Sequence, residues 1–195
     1  FVRLPVLQKR FHKLRIHGEP AILLFECINI LFCDMIENGW HLAQINVAKI
    51  IGENINDPVM EKFVAQLDEI NAVAEQSAGF IWRLKDEHNN ATNFNPYNDE
   101  RIIVNISVWE SLDSLIGFVY HGRHAEVLRS RRDWFVSFGK SYTALWYIPT
   151  GDIPTVEEAM SRLKLLQEKG PTPLAFDFRT KFAAPPASIN IAKPQ

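Results

Sequence analysis

Twelve residues, HAEVLRSRRDWF from His124 to Phe135, hold one histidine, three arginines and a tryptophan. Imidazole titrates near neutrality, so His124 is the side chain best suited to giving or taking a proton. Guanidinium forks match carboxylate or phosphate oxygens. Read as a helix of about three turns, the segment puts His124, Leu128, Arg131 and Phe135 at i, i+4, i+7 and i+11, on one face. A face half apolar and half cationic suits a pocket wall turned to a polar or anionic group. His124 is the candidate catalytic residue and Arg131 a candidate ligand clamp. The competing reading is a structural histidine. For Arg129 and Arg132, pairing with Glu126, Asp133 or Glu110 is preferred.

Two strand-like segments carry the other candidates. Residues 41–50, HLAQINVAKI, alternate with His41, Ala43, Ile45 and Val47 on one face and Leu42, Gln44, Asn46 and Ala48 on the other. Residues 101–110, RIIVNISVWE, form the clearest strand. Gln44, Asn46, Asn105, Ser107 and Trp109 sit on the more polar faces. A buried polar group without a partner costs about 1–3 kcal/mol, so these residues meet either a ligand or one another. Trp82, Trp109, Trp134 and Trp146 form an aromatic box or, more commonly for such residues, core. Tyr120 either donates a proton or packs. The candidate ligand-binding set is therefore Gln44, Asn46, Asn105, Trp109, Tyr120 and Arg131. His41, His88, His121 and His124 have no metal-ligand spacing, so no metal is expected. No glycine-rich phosphate loop, Ser-His-Asp order or HExxH helix occurs, and no flavin or nicotinamide motif is visible.

The remaining elements follow from spacing. Asp57-Pro58 opens a helix that runs to residue 76. Phe80 to Lys85 reads as a strand, and residues 86–100 as an Asn-rich loop. A helix starts at Ser111, with Gly122 placed to break it before the 124–135 helix. Residues 141–148 form a further strand. Thr155 to Glu158 is a capping box for a helix to Lys169, stopped by Gly170-Pro171. Phe176 to Phe182 reads as a short edge strand. The order is β-α-β-β-α-β plus an extra C-terminal helix, an α+β ferredoxin-like arrangement with an antiparallel sheet and helices on one face. The other face would be open in a monomer. Two such sheets close a dimeric α/β barrel, so a homodimer is expected.

The chain has 195 residues and a net charge of −2, which gives no general attraction to nucleic acid or membrane. Cys27 and Cys33 suit neither a zinc site nor a disulfide framework, and a reducing, cytoplasmic setting is the simplest reading. Residues 1–34 are basic by two charges and contain an apolar run, 21–33, too short to span a bilayer. They read as a non-domain leader or upstream sequence with Met35 as the start. A targeting segment is the alternative. The domain is placed at 35–182 and a flexible tail at 183–195.

WHLAQINVAKI at 40–50, GFIWRLKDE at 79–87, RIIVNISVWESLDSL at 101–115, HAEVLRSRRDWF at 124–135, LWYIPTG at 145–151 and GPTPLAFDFR at 170–179 together resemble domain-of-unknown-function family 3291. That family belongs with dimeric α/β-barrel proteins similar to the antibiotic-biosynthesis monooxygenases. The wider group includes cofactor-free monooxygenases, haem-degrading enzymes and plain ligand binders. The haem-degrading members use an Asn on strand one, and a Trp and a His on helix two. Asn46 matches the first position, but Phe118 and Val127 fall at the others. Haem degradation is thus disfavoured, while a haem-binding remnant with His124 as ligand stays open. The resemblance implies a small-molecule-binding protein, with a cofactor-free monooxygenase as the leading class. A non-catalytic ligand or haem binder, or a structural dimer without a pocket, is the alternative.

Overall fold

A computed structural model describes residues 39–137 and 139–186. The leader expected at 1–34 and most of the tail expected at 183–195 lie outside the described residues. The fold begins with β1, Trp40–Ile50, whose alternation places it at the centre of an antiparallel sheet. A 3-10 turn at Pro58–Met60, α1 at Glu61–Val64 and α2 at Leu67–Gln76 follow. β2 spans Phe80–Arg83 and β3 Ile102–Trp109. Then come α3 at Leu112–Tyr120, α4 at Gly122–Arg129, a 3-10 turn at Arg131–Asp133, β4 at Phe135–Val136, β5 at Thr143–Pro149 and α5 at Val156–Lys169. β1 pairs with β3 on one side and with β4 and β5 on the other, and β2 pairs with β3. Setting β4 aside, the order β5-β1-β3-β2 is that of a ferredoxin-like βαββαβ sheet, so the fold class is α+β with an antiparallel sheet.

Local chemistry sets several boundaries. The Asp57 carboxylate accepts from the Val59 N–H at 3.0 Å, ahead of Pro58 at the first helical position. Ser111 caps α3 by accepting from the Ser114 N–H, and Thr155 caps α5 by accepting from the Glu158 N–H. The Glu158 side chain does not complete the capping box; it turns to Arg162. Gly79, at φ 75°, stands where a Cβ would collide with the Ser114 side chain.

Five expectations are corrected. The helix expected over 58–76 breaks between α1 and α2, because Met60 and Phe63 are drawn into one core cluster and Ala74 into another. The helix expected over 124–135 ends at Arg129. Ser130 leaves helical geometry at φ −86° and ψ 4°, Trp134 is pulled into the core, and Phe135 pairs with Ile50 as a strand. β2 stops at Arg83 rather than at residue 85. The edge strand expected at 176–182 is a single bridge between Phe176 and Leu145. Finally, the sheet face expected to be open carries α5. Ala43, Ile45, Val47, Ile106, Val108 and Trp146 are buried on that face with Ala159, Leu163 and Leu166 of α5.

The opposite face holds α2, α3 and α4 in two separate apolar clusters. One joins Leu42, Trp109, Leu145, Leu115 and Phe176, with Phe118 packed against it. The other joins Ile50, Met60, Phe63 and Trp134, with Ile103 and Val127 packed against it. Fully burying each such side chain is worth about 1.5–3 kcal/mol. The register sets polar rows between the clusters. Leu145, Gln44 and Ser107 form one row, and Thr143, Asn46 and Asn105 the next.

Candidate functional site

The polar residues of β1 and β3 therefore share the face on which α2, α3 and α4 pack. In the first row, Ser107 Oγ donates to Gln44 Oε1 at 3.2 Å, and Trp109 Nε1 donates to Ser107 Oγ at 2.9 Å. All three residues are buried, so this row is satisfied internally. The Trp109 indole is wholly buried and its N–H is spent. It supports the site as core instead of touching a ligand. Gln44 likewise gives its carbonyl to the protein. In the second row, Asn46 Nδ2 donates to Thr143 Oγ1 at 2.8 Å. Asn105 is exposed even though it lies on the helical face, so the helices leave this row uncovered. An uncovered amide row results, on the same sheet face as the two apolar clusters.

His124 packs on Phe118, which lies against the cluster that holds Trp109 and Leu115. An aromatic series runs from Phe80 edge-on to Trp109 at 5.3 Å, then to Phe118 stacked at 5.1 Å, then to the His124 ring at 4.4 Å. His124 Nδ1 lies 2.9 Å from the Val119 carbonyl oxygen. A carbonyl only accepts, so Nδ1 carries the proton and Nε2 keeps its lone pair. Burial pushes the His124 pKa down, and the bond to Val119 opposes this as the smaller effect. Burial therefore favours the neutral ring, and in that form the Val119 bond selects the Nδ1–H tautomer.

The other candidates lie apart from it. Arg131 does not share a face with His124, since α4 has ended. Its Nη1 donates to the Tyr142 hydroxyl at 2.6 Å, and its guanidinium lies 4.6 Å from the Tyr142 ring centroid. Tyr120 is half exposed, edge-on to Phe178 at 5.6 Å, and burial raises its pKa. Leu128, one turn on from His124, is half-buried and outside every buried cluster. Sequence reasoning missed Phe118 as the partner of His124 and Thr143 as that of Asn46. It also missed the Val119 carbonyl, because a backbone acceptor leaves no trace in residue type. Among the described residues Arg123, not Arg129 or Arg132, makes the ion pairs, with Glu69 and Glu126. Among the described residues no three His, Cys, Asp or Glu side chains gather as a metal site, and no helix is long and apolar enough to cross a membrane.

A family profile described as "Domain of unknown function (DUF3291)" matches residues 41–192. The chain belongs to the DUF3291 family. No protein of curated function matches it. Among solved structures, the DUF3291 chain is similar to SnoaB, a cofactor-independent oxygenase from Streptomyces nogalater, at 12% identity and a TM-score of 0.39, covering 60% of this chain and 96% of that one. PA3566 from Pseudomonas aeruginosa gives 12% identity and a TM-score of 0.38, covering 57% and 95%. A putative antibiotic biosynthesis monooxygenase from Chloroflexus aurantiacus gives 12% identity and a TM-score of 0.35, covering 60% and 98%. Likeness this distant does not bear on chemistry, which must be argued from the DUF3291 chain itself.

Two cavities among the described residues lie away from His124. One of about 290 Å³ lies on the α5 side of the sheet, lined by Val47, Leu163, Tyr97, Tyr142, Lys140 and Gln167 among others. One of about 30 Å³ lies by Trp40 and Arg162, whose buried Nε1 and Nε atoms have no protein partner. That volume suits one water-sized acceptor.

Proposed function

We propose that this DUF3291 chain binds a small, electron-rich organic molecule over the Asn46–Asn105–Thr143 row and oxygenates it without a cofactor, His124 acting as base. The observation that carries the reading is the His124 imidazole with Nδ1–H fixed on Val119 and Nε2 without a protein partner among the described residues. Burial lowers its pKa, which favours the free-base form, and the fixed ring needs no reorientation. The amides of Asn46 and Asn105 orient the substrate's oxygens, and the half-buried Phe118 ring packs against its body. Residues 40–179 resemble a family grouped with the antibiotic-biosynthesis monooxygenases, which points to the same reaction class.

The chemistry balances with dioxygen as the oxidant. An activated CH2 of the substrate loses a proton to Nε2, and the carbanion adds O2 to form a C–O bond and a peroxide. The peroxide takes the proton back from the imidazolium. Its O–O bond then breaks with loss of the remaining C–H proton, leaving a carbonyl and one water. The substrate supplies every electron. Anthrone, an enolisable aromatic ketone, is a suitable probe. The full chain in air should consume O2 as anthrone disappears, and anthrone should persist under nitrogen. Absence of O2 uptake above the uncatalysed rate would overturn the reading.

Haem ligation by His124 is the second reading, favoured by the same Nδ1–H bond, which is how ligating histidines are oriented. The fit is poor. Phe118 occupies one side of the ring, and neither the 290 Å³ nor the 30 Å³ cavity is lined by His124. A Soret shift on adding haemin that disappears in His124→Ala would reverse the order.

Homodimerisation is part of the same proposal. Because α5 covers the sheet face expected as the interface, contact would form elsewhere, where Ile153, Leu174 and Tyr120 remain exposed. Sedimentation at micromolar concentration should show a dimer, and a clean monomer would remove this part.

A further inference from the structure

The 290 Å³ cavity on the α5 side is separated from His124 by the sheet itself. Its floor is apolar, from Val47 of β1 and Leu163 of α5. Its polar side chains include one cation, Lys140, two phenols, Tyr97 and Tyr142, and no carboxylate. Lys140 is exposed and forms no ion pair among the described residues. The nearest acid in sequence to Tyr97, Asp99, is paired with Lys49 at 3.6 Å. The Tyr142 hydroxyl accepts from Arg131, so its own proton is left to donate. Tyr97 stays a neutral phenol, since burial raises its pKa.

One wall, the 140–142 segment, is tied to the fold on both sides. The Val47 N–H donates to the Tyr142 carbonyl at 2.8 Å, tying the 140–142 segment to β1. Gln167 Nε2 donates to the Ser141 carbonyl at 2.7 Å, tying the same segment to α5. Arg131 braces the Tyr142 ring from outside. About 290 Å³ lies at the small end of ligand pockets, which run about 300–1,000 Å³. A rigid apolar floor beneath a cation and two phenols suits a compact body ending in an anion.

We infer that this cavity is a second ligand site, distinct from the His124 site, for a small organic monocarboxylate held by Lys140, Tyr97 and Tyr142 over Val47 and Leu163. The carboxylate sits against Lys140 and the two hydroxyls, and the apolar body lies on the floor.

Benzoate is the probe, with benzyl alcohol as its uncharged counterpart. In ¹H–¹⁵N spectra of the full chain, millimolar benzoate should shift the Gln167 side-chain amide and the Val47 backbone amide. Lys140→Gln should weaken benzoate by about tenfold or more, the usual worth of a charge-assisted bond, and leave benzyl alcohol unchanged. Tyr142→Phe should weaken benzoate as well. His124→Ala should leave benzoate binding intact, which separates this site from the proposed catalytic one. Three outcomes would overturn the inference: no shift at Gln167 and Val47, equal binding of benzoate and benzyl alcohol, or loss of benzoate binding in His124→Ala.

Discussion

The imidazole of His124 and the ring of Phe118 lie 4.4 Å apart, centroid to centroid, with planes 47° apart, although the α3–α4 break separates them in the chain. The break itself makes the contact. His121 is extended at φ −125° and ψ 161°, and Gly122 starts α4 at φ 56°. The turn folds His124 back on α3, within reach of the Val119 carbonyl.

This arrangement fixes a pH response. Burial lowers the folded pKa of His124, and the Val119 bond only partly offsets it. The unfolded chain titrates near 6.5, so just below that pH it binds more protons than the fold does. The contribution of His124 is therefore complete above about pH 6.5 and is lost as pH falls toward the folded pKa. His41 is lowered too, by burial against the opposing charge of Glu110, so the comparison must be with His124→Gln. The variant should lose less stability than the parent on acidification. An NMR titration midpoint for His124 above 6.5 would contradict this.

Ser107 joins Gln44 to Trp109 inside the core. Ser107→Ala leaves the Trp109 N–H and the Gln44 carbonyl buried without that partner. Urea unfolding should show a loss of about 1–3 kcal/mol. Trp40→Phe removes an indole N–H that has no protein partner, so it should cost less than Trp109→Phe.

Leu115 is wholly buried and Leu128 is not. Leu115→Ala should cost about 2–5 kcal/mol as a core truncation. Leu128→Ala should cost clearly less, read from paired thermal or urea melts. Equal losses would mean that Leu128 is covered by something beyond the described fold.

Much of the fold was legible because β1, β3 and β5 alternate, and because Asp57, Ser111 and Thr155 announce their helices. The 124–135 segment misled because periodicity is blind to tertiary pull. Trp134 and Phe135 are drawn to Ile50 and end the helical register. The position of α5 was hidden for a related reason. An apolar stripe such as Ala159, Leu163 and Leu166 says that a helix is buried on one side, not which sheet face it covers. At the site, the alternation of Gln44, Asn46, Asn105 and Ser107 predicted one polar face. Which amides were spent internally depended on cross-strand register, with Gln44 opposite Ser107 and Asn46 opposite Asn105. Arg131 carried the right charge but joined Tyr142, a partner eleven positions on that spacing alone could not select.

The most direct test of His124 as the base is the O2-uptake rate with anthrone at neutral pH, for the parent chain and for His124→Ala. Both proteins should melt cooperatively, since His124 is only half-buried. A positioned base contributes about 10²–10⁴-fold, so the rate above background should fall by about 100-fold or more. A folded His124→Ala protein that oxidises anthrone at the parent rate would contradict the assignment.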